Sequence, residues 1–175
     1  RYGYGGYKYI PGRWRNVALN LIKTYSLTEK SKILDVGCGK GYLLYEIKKL
    51  IPNLKIVGFD ISNYSIKNSK KEIKKNLFVH NAESKFPFKK NYFDLVMSIG
   101  VLHNLDLAKV SFSLNEIQRV SKNSYIMVES YRNDKELFNL QCWALTCKTF
   151  LHVNDWKWLF KRNKFKGDFE FIYFN

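Results

Sequence analysis

Between Gly37 and Gly41 the chain reads Gly-Cys-Gly-Lys-Gly, with a carboxylate, Asp35, two residues upstream. Without Cβ atoms at the glycines the backbone turns sharply and approaches a ligand closely, as nucleotide sites require. Two nucleotide loops are excluded by the spacing. A dinucleotide turn, Gly-x-Gly-x-x-Gly, needs its third glycine where Tyr42 stands, and a P-loop needs Lys-Ser or Lys-Thr after its last glycine, whereas Tyr42 follows Gly41. What is left is a glycine turn with an acidic residue before it and a second, Asp60, ending the next apolar run.

The turn lies between a short apolar run, Lys32 to Val36, and a stretch from Gly41 to Leu50 whose Leu43, Leu44, Ile47 and Leu50 recur at helical spacing until Pro52-Asn53. Lys55 to Asp60 reads as a second buried strand, and Asn63 to Lys75 as a helix with Ile66 and Ile73 inward. Leu77 to His80 and Phe93 to Val101 are strands, Ala108 to Val120 a helix, and Tyr125 to Glu129 a fifth strand. Such alternation predicts an α/β domain, doubly wound, with a mostly parallel sheet and helices on both faces. After Asn133, Glu136 to Phe150 and Asp155 to Lys161 read as helices. Asp168 to Phe174 alternates as a C-terminal edge strand, expected to be antiparallel. Residues 15–175 are expected to form a single domain, with a helix over about Arg15 to Tyr25. Residues 1–14, rich in tyrosine and glycine without a helical or strand period, form an irregular arm that could act as a lid.

The run Asp35, Gly37, Gly39, Gly41 resembles motif I of the class I S-adenosylmethionine-dependent methyltransferases, whose domain is Rossmann-like, and the resemblance covers roughly Ser31 to Tyr131. It implies S-adenosylmethionine as the methyl donor, S-adenosylhomocysteine as product, and no metal. It also implies a set of cofactor-binding positions. Asp35, Gly37, Cys38, Gly39 and Gly41 form the turn, and Asp60 with Ile61 stands where the family's acid accepts bonds from both ribose hydroxyls. Asn81 and Ala82 match the segment lining the adenine, and Ser98 and His103 belong to the fourth strand and the turn after it.

Methyl transfer from a sulfonium is an in-line displacement that needs alignment, exclusion of water and, for a hydroxyl or a protonated amine, a base. The candidates at the ends of strands four and five are His103, Glu129 and Tyr131. The alternative roles are packing beside the cofactor for His103 and anchoring of the following loop for Tyr131. In the arm, Tyr7, Arg13 and Trp14 could shape an acceptor pocket. Trp143, Trp156 and Trp158 offer either pocket walls or core packing.

With 30 Lys and Arg against 15 Asp and Glu, the 175-residue chain carries a formal charge of +15. That favours polyanionic partners, although AT-rich coding and solubility explain the same lysines. The favoured acceptor is a small molecule or a glycan- or lipid-linked group. RNA is the alternative substrate, against which Ser98-Ile-Gly-Val101 stands in place of Asn/Asp-Pro-Pro-Tyr/Phe. A non-catalytic cofactor-binding protein is the other alternative. No apolar run approaches ~18 residues, so no transmembrane segment is expected and a cytoplasmic location is the default. Cys38, Cys142 and Cys147 lack metal-ligand spacing. Oligomeric state is not legible.

Overall fold

Strands buried at every successive residue must be covered on both faces, and the runs 33–36 and 95–97 are of this kind. In the computed structural model, which describes residues 6–175, the chain passes through α1 (Arg15–Thr24), β1 (Lys32–Val36), α2 (Tyr42–Leu50), β2 (Lys55–Asp60), α3 (Asn63–Lys67), β3 (Leu77–Val79), β4 (Phe93–Ile99), α4 (Leu107–Val120), β5 (Ser121–Glu129), α5 (Asp134–Trp143), α6 (Val153–Arg162) and β6 (Asp168–Ile172). Tyr2 and Tyr4 of the arm lie outside the described residues.

The strands form one sheet in the order β3-β2-β1-β4-β5-β6, and each neighbouring pair is parallel. Alternate residues feed two cores. Ile33, Ile56, Leu95 and Met97 pack with Ala18 and Leu21 of α1 and Leu44 and Ile47 of α2. Leu34, Val36, Val96, Ile126 and Val128 face Val110, Leu114 and Ile117 of α4 and Trp156 and Phe160 of α6. Strand order reverses beside β1, with β2 and β3 to one side and β4 onward to the other. A crevice therefore opens at the carboxyl ends of β1 and β4, where open α/β sheets bind their ligands.

The C-terminal strand corrects one expectation: β6 pairs parallel with β5, Tyr125 against Asp168 through Glu129 against Ile172, not antiparallel. Its period-two pattern reports one solvated face and is silent on direction. Direction follows from the connection, because α5 and α6 return the chain to the starting end of the sheet as a crossover. Two helices are also shorter than their periodicity predicted. α3 stops at Lys67, where Asn68 Nδ2 and Ser69 Oγ donate to the carbonyls of Tyr64 and Ile66, each at 2.8 Å. Such local side-chain bonds compete with helix continuation. α5 ends at Trp143, and the segment beyond it is drawn to the short 3-10 turn at Leu102–Asn104, the N–H groups of Lys148 and Thr149 donating to His103 O at 3.0 and 2.9 Å. Among the described residues, no helix is long and apolar enough to cross a membrane.

Candidate active site

The glycine turn leaves β1 with Gly37, Gly39 and Gly41 all at positive φ, from 54° to 75°. That left-handed region costs other residues about 1–2 kcal/mol. Two bonds tie the turn to β2: the N–H groups of Gly37 and Cys38 both donate to Phe59 O at 2.9 Å. Asp60 then joins two elements, its Oδ2 accepting the Gly39 N–H and its Oδ1 the Ser62 N–H ahead of α3, each at 2.8 Å. A carboxylate offers about four lone-pair sites, so both oxygens keep further acceptor capacity.

A pocket of about 260 Å³ opens here, running from Asp35 and the turn, past Ile99 and Gly100, to Glu129. Arg13, Trp14, Trp143 and Phe174 supply its outer walls. A larger groove of about 540 Å³, between α1 and β5–β6, contains Tyr25 and Asp168 but none of the glycine turn. The smaller pocket is the one at the sheet's switch point. A Cβ built on Gly39 or on Gly100 would meet no atom within 4 Å, whereas one on Gly37 would lie 2.4 Å from Val101 Cγ2. Gly37 is thus closed by packing, and Gly39 and Gly100 are open backbone that a ligand can approach.

The ionisable groups are set by burial. Asp35, 5% exposed, has its pKa pushed up to about 7, first by desolvation and then by the charge of Asp60. Glu129 is likewise raised to about 7 by burial, and burial lowers His103 to about 4. His103 is therefore neutral near pH 7, and Glu129 is divided between its acid and its anion. His103 Nε2 lies 3.3 Å from Glu129 Oε2, close enough for an ion pair but too poorly aligned to hydrogen-bond, which leaves that buried oxygen without a partner among the described residues. Burial raises the thiols of Cys38 and Cys147, the latter to about 11, so both are protonated.

Of the three catalytic candidates, the structure brings His103 and Glu129 together and sets Tyr131 apart, its ring packed edge-on against His152 at 5.5 Å. Of the cofactor candidates, Asp35, Gly37, Cys38 and Gly39 line the pocket. Gly41 precedes α2, and Asp60, Ile61, Asn81 and Ala82 sit at or just beyond the ends of β2 and β3, outside the pocket lining. Asn81 Oδ1 accepts the Glu83 N–H at 2.8 Å, and Ser98, fully buried, donates its hydroxyl to Val36 O at 3.2 Å, holding β4 to β1. Arg13 and Trp14 line the pocket. Tyr7 does not, its ring being exposed and its carbonyl held by Lys40 Nζ at 2.5 Å.

Sequence reasoning missed Ile172 and Phe174, which line the pocket two residues apart, and Glu46, a fully buried carboxylate that accepts the Tyr9 hydroxyl. The terminal alternation held the signal for the first two. No periodic signal marked Glu46. Trp143 is a pocket wall, Trp156 belongs to the core, and Trp158 is largely exposed.

Residues 27–166 match the methyltransferase domain family. Malonyl-[acyl-carrier protein] O-methyltransferase of Legionella pneumophila is 32% identical over 71% of this chain and 44% of its own length. The mitochondrial arginine-hydroxylase NDUFAF5 of Mus musculus is 33% identical over 62% of this chain and 31% of its own. The chain therefore spans less than half the length of either curated relative. Among solved structures, a SAM-dependent methyltransferase from Archaeoglobus fulgidus superposes with a TM-score of 0.64 at 23% identity, over 87% of this chain and 69% of that one.

Proposed function

The chain belongs to the methyltransferase domain family, and from that premise we propose that it transfers a methyl group from S-adenosylmethionine to a small-molecule or glycan- or lipid-linked acceptor. The observation that carries this reading is the single pocket bounded at one end by Asp35 and the glycine turn and at the other by Glu129. Open backbone at Gly39 and Gly100 fits a ligand in close contact with the main chain. Two carboxylates beside the turn fit a cofactor with ribose hydroxyls and positive charge. Asp60 would take the ribose, and Asp35, buried and half-protonated near neutrality, would be drawn to its anion by a cationic methionyl group.

S-adenosylmethionine supplies, when bound, an electrophilic methyl on a sulfonium sulfur. The protein's part is alignment, exclusion of water and removal of a proton. Glu129 would take that proton, a role supported by its raised pKa close to neutral pH, where a general base works best, and by its position in the pocket lining. His103 acts through Glu129: uncharged, it contributes a nearby donor without fixing the carboxylate in an ion pair. Trp14, Trp143 and Phe174 shield the outer side.

The test is a transfer screen with methyl-labelled donor against fractionated small-molecule, glycan and lipid extracts, followed by mass spectrometry of the labelled product. A product in one of these fractions supports the reading. Labelling of RNA alone would move the acceptor to the other class. Cofactor binding with no label in any fraction would favour a protein that holds the ligand without turnover.

A further inference from the structure

We propose that the acceptor atom is a nitrogen: the pocket takes a primary or secondary amine on a ring or apolar frame, bound as its ammonium between the Glu129 carboxylate and the walls made by Trp14, Trp143 and Phe174. This rests on the methyl-transfer reading and narrows it.

The outer half of the pocket combines one acidic side chain, Glu129, with large aromatic surfaces and one cation, Arg13, on the wall beside Trp14; Lys40 lines the pocket at the glycine turn. Trp143, at the end of α5, packs against Phe174 with ring centroids 5.6 Å apart and planes inclined by 35°, and Trp14 lines the same pocket from the start of α1. Aromatic faces together with a carboxylate form the pairing that recognises organic ammonium groups. Glu129 Oε2 is buried and lacks a hydrogen-bond partner among the described residues, so an ammonium N–H arriving there would satisfy an atom the protein leaves unmet. Asp35, the other carboxylate of the lining, lies at the glycine turn.

Proton matching separates nitrogen from oxygen. An alkylammonium has a pKa of roughly 10, as lysine does, whereas a hydroxyl resembles water at roughly 16. A base near 7 is within about three units of the first and about nine of the second. An ammonium and a sulfonium repel, so the nitrogen must be discharged before the two can meet.

The step balances as follows. Glu129 accepts one proton from the ammonium, freeing the nitrogen lone pair. That pair forms the N–CH3 bond while the donor's C–S bond breaks and its electrons stay on sulfur, giving S-adenosylhomocysteine. The methylated amine leaves protonated, and Glu129 regains its charge by releasing a proton to water.

The test uses matched probes, benzylamine against benzyl alcohol and cyclohexylamine against cyclohexanol, titrated by calorimetry and NMR at pH 8 into the full chain saturated with S-adenosylhomocysteine. The expected result is at least tenfold tighter binding of each amine. Glu129→Gln should bring the amines down to the alcohols in protein that is still folded and still binds S-adenosylhomocysteine, and Trp143→Ala should weaken amines more than alcohols. With S-adenosylmethionine present, an N-methyl product should form from an amine and no O-methyl product from its alcohol. Equal binding of amine and alcohol, or an amine preference that survives Glu129→Gln, overturns the proposal while leaving the methyltransferase reading intact. Failure of S-adenosylhomocysteine itself to bind overturns both.

Discussion

His103 and Glu129 face each other twice, the Glu129 backbone N–H approaching His103 Nδ1 at 3.5 Å while Nε2 lies 3.3 Å from the Glu129 carboxylate. A ring nitrogen that accepts carries no proton, so this network assigns the imidazole proton to Nε2, on the carboxylate side. That proton is too poorly aligned to bond the carboxylate, so burial alone sets Glu129 and raises its pKa to about 7.

A pH profile separates the two residues. The ionised fraction of Glu129 grows as pH passes through about 7, so at saturating cofactor the rate should rise between about pH 6 and 8 and then level. His103, whose transition lies at about 4, should add no inflection in that window. Glu129→Gln should abolish the rise and lower kcat by about 10²–10⁴. A rise that survives this substitution would assign the base elsewhere.

Asp35 should couple cofactor binding to proton release. Below about pH 7 it is largely protonated in the free protein, so a cationic ligand must displace that proton, and affinity should fall as pH drops toward 5. Calorimetry in buffers of different ionisation enthalpy would detect the released proton, and Asp35→Asn should remove it. The same shift governs stability. The folded-state pKa stands above the ordinary 3.8, so the ligand-free protein should lose stability as pH climbs from about 4 to about 7 and then hold constant. Asp35→Asn should flatten that slope.

Gly37 and Gly39 should respond differently to alanine. At Gly37 the new Cβ would lie 2.4 Å from Val101 Cγ2 at a φ of +75°, so Gly37→Ala should lower the melting temperature markedly. At Gly39 the Cβ meets nothing within 4 Å, and only the φ of +54° opposes it, a cost of about 1–2 kcal/mol. Gly39→Ala should therefore fold yet bind cofactor weakly, because the methyl group projects into open space beside the pocket. Equal cofactor affinity in wild type and Gly39→Ala would remove this backbone from the site.

The arm is latched by Tyr9, whose hydroxyl donates to the buried Glu46 and whose ring lies 4.3 Å below Lys70 Nζ. Tyr9→Phe leaves Glu46 short of a partner, a cost of about 1–3 kcal/mol. With Gly6, Arg13 and Trp14 on the pocket wall, the same change should speed cofactor release, readable by stopped-flow fluorescence. An unchanged release rate with a lowered melting temperature would make the latch purely structural.

Sequence exposed what depends on local pattern. The glycine turn, Asp60 at its strand end and the strands Lys32–Val36 and Lys55–Asp60 stand where spacing placed them, whereas the fourth strand ends two residues earlier than expected, at Ile99, and the fifth begins four residues earlier, at the polar Ser121. The direction of β6 was hidden because alternation is the same in parallel and antiparallel edges. The early stop of α3 arose from Asn68 and Ser69 capping their own helix. The partnership of His103 with Glu129 links residues 26 apart in sequence, and the latch of Tyr9 on Glu46 spans 37. Such contacts come from tertiary packing that no single-chain pattern reports.

The most direct test is calorimetric titration of the folded chain with S-adenosylhomocysteine and S-adenosylmethionine. Saturable one-to-one binding of both is expected, weakened by at least about tenfold in Asp60→Ala, which loses the observed acceptor of the Gly39 N–H and the acceptors proposed for the ribose hydroxyls. No binding of either ligand by folded protein, or an affinity indifferent to Asp60→Ala, would contradict a methyl-donor site at this turn.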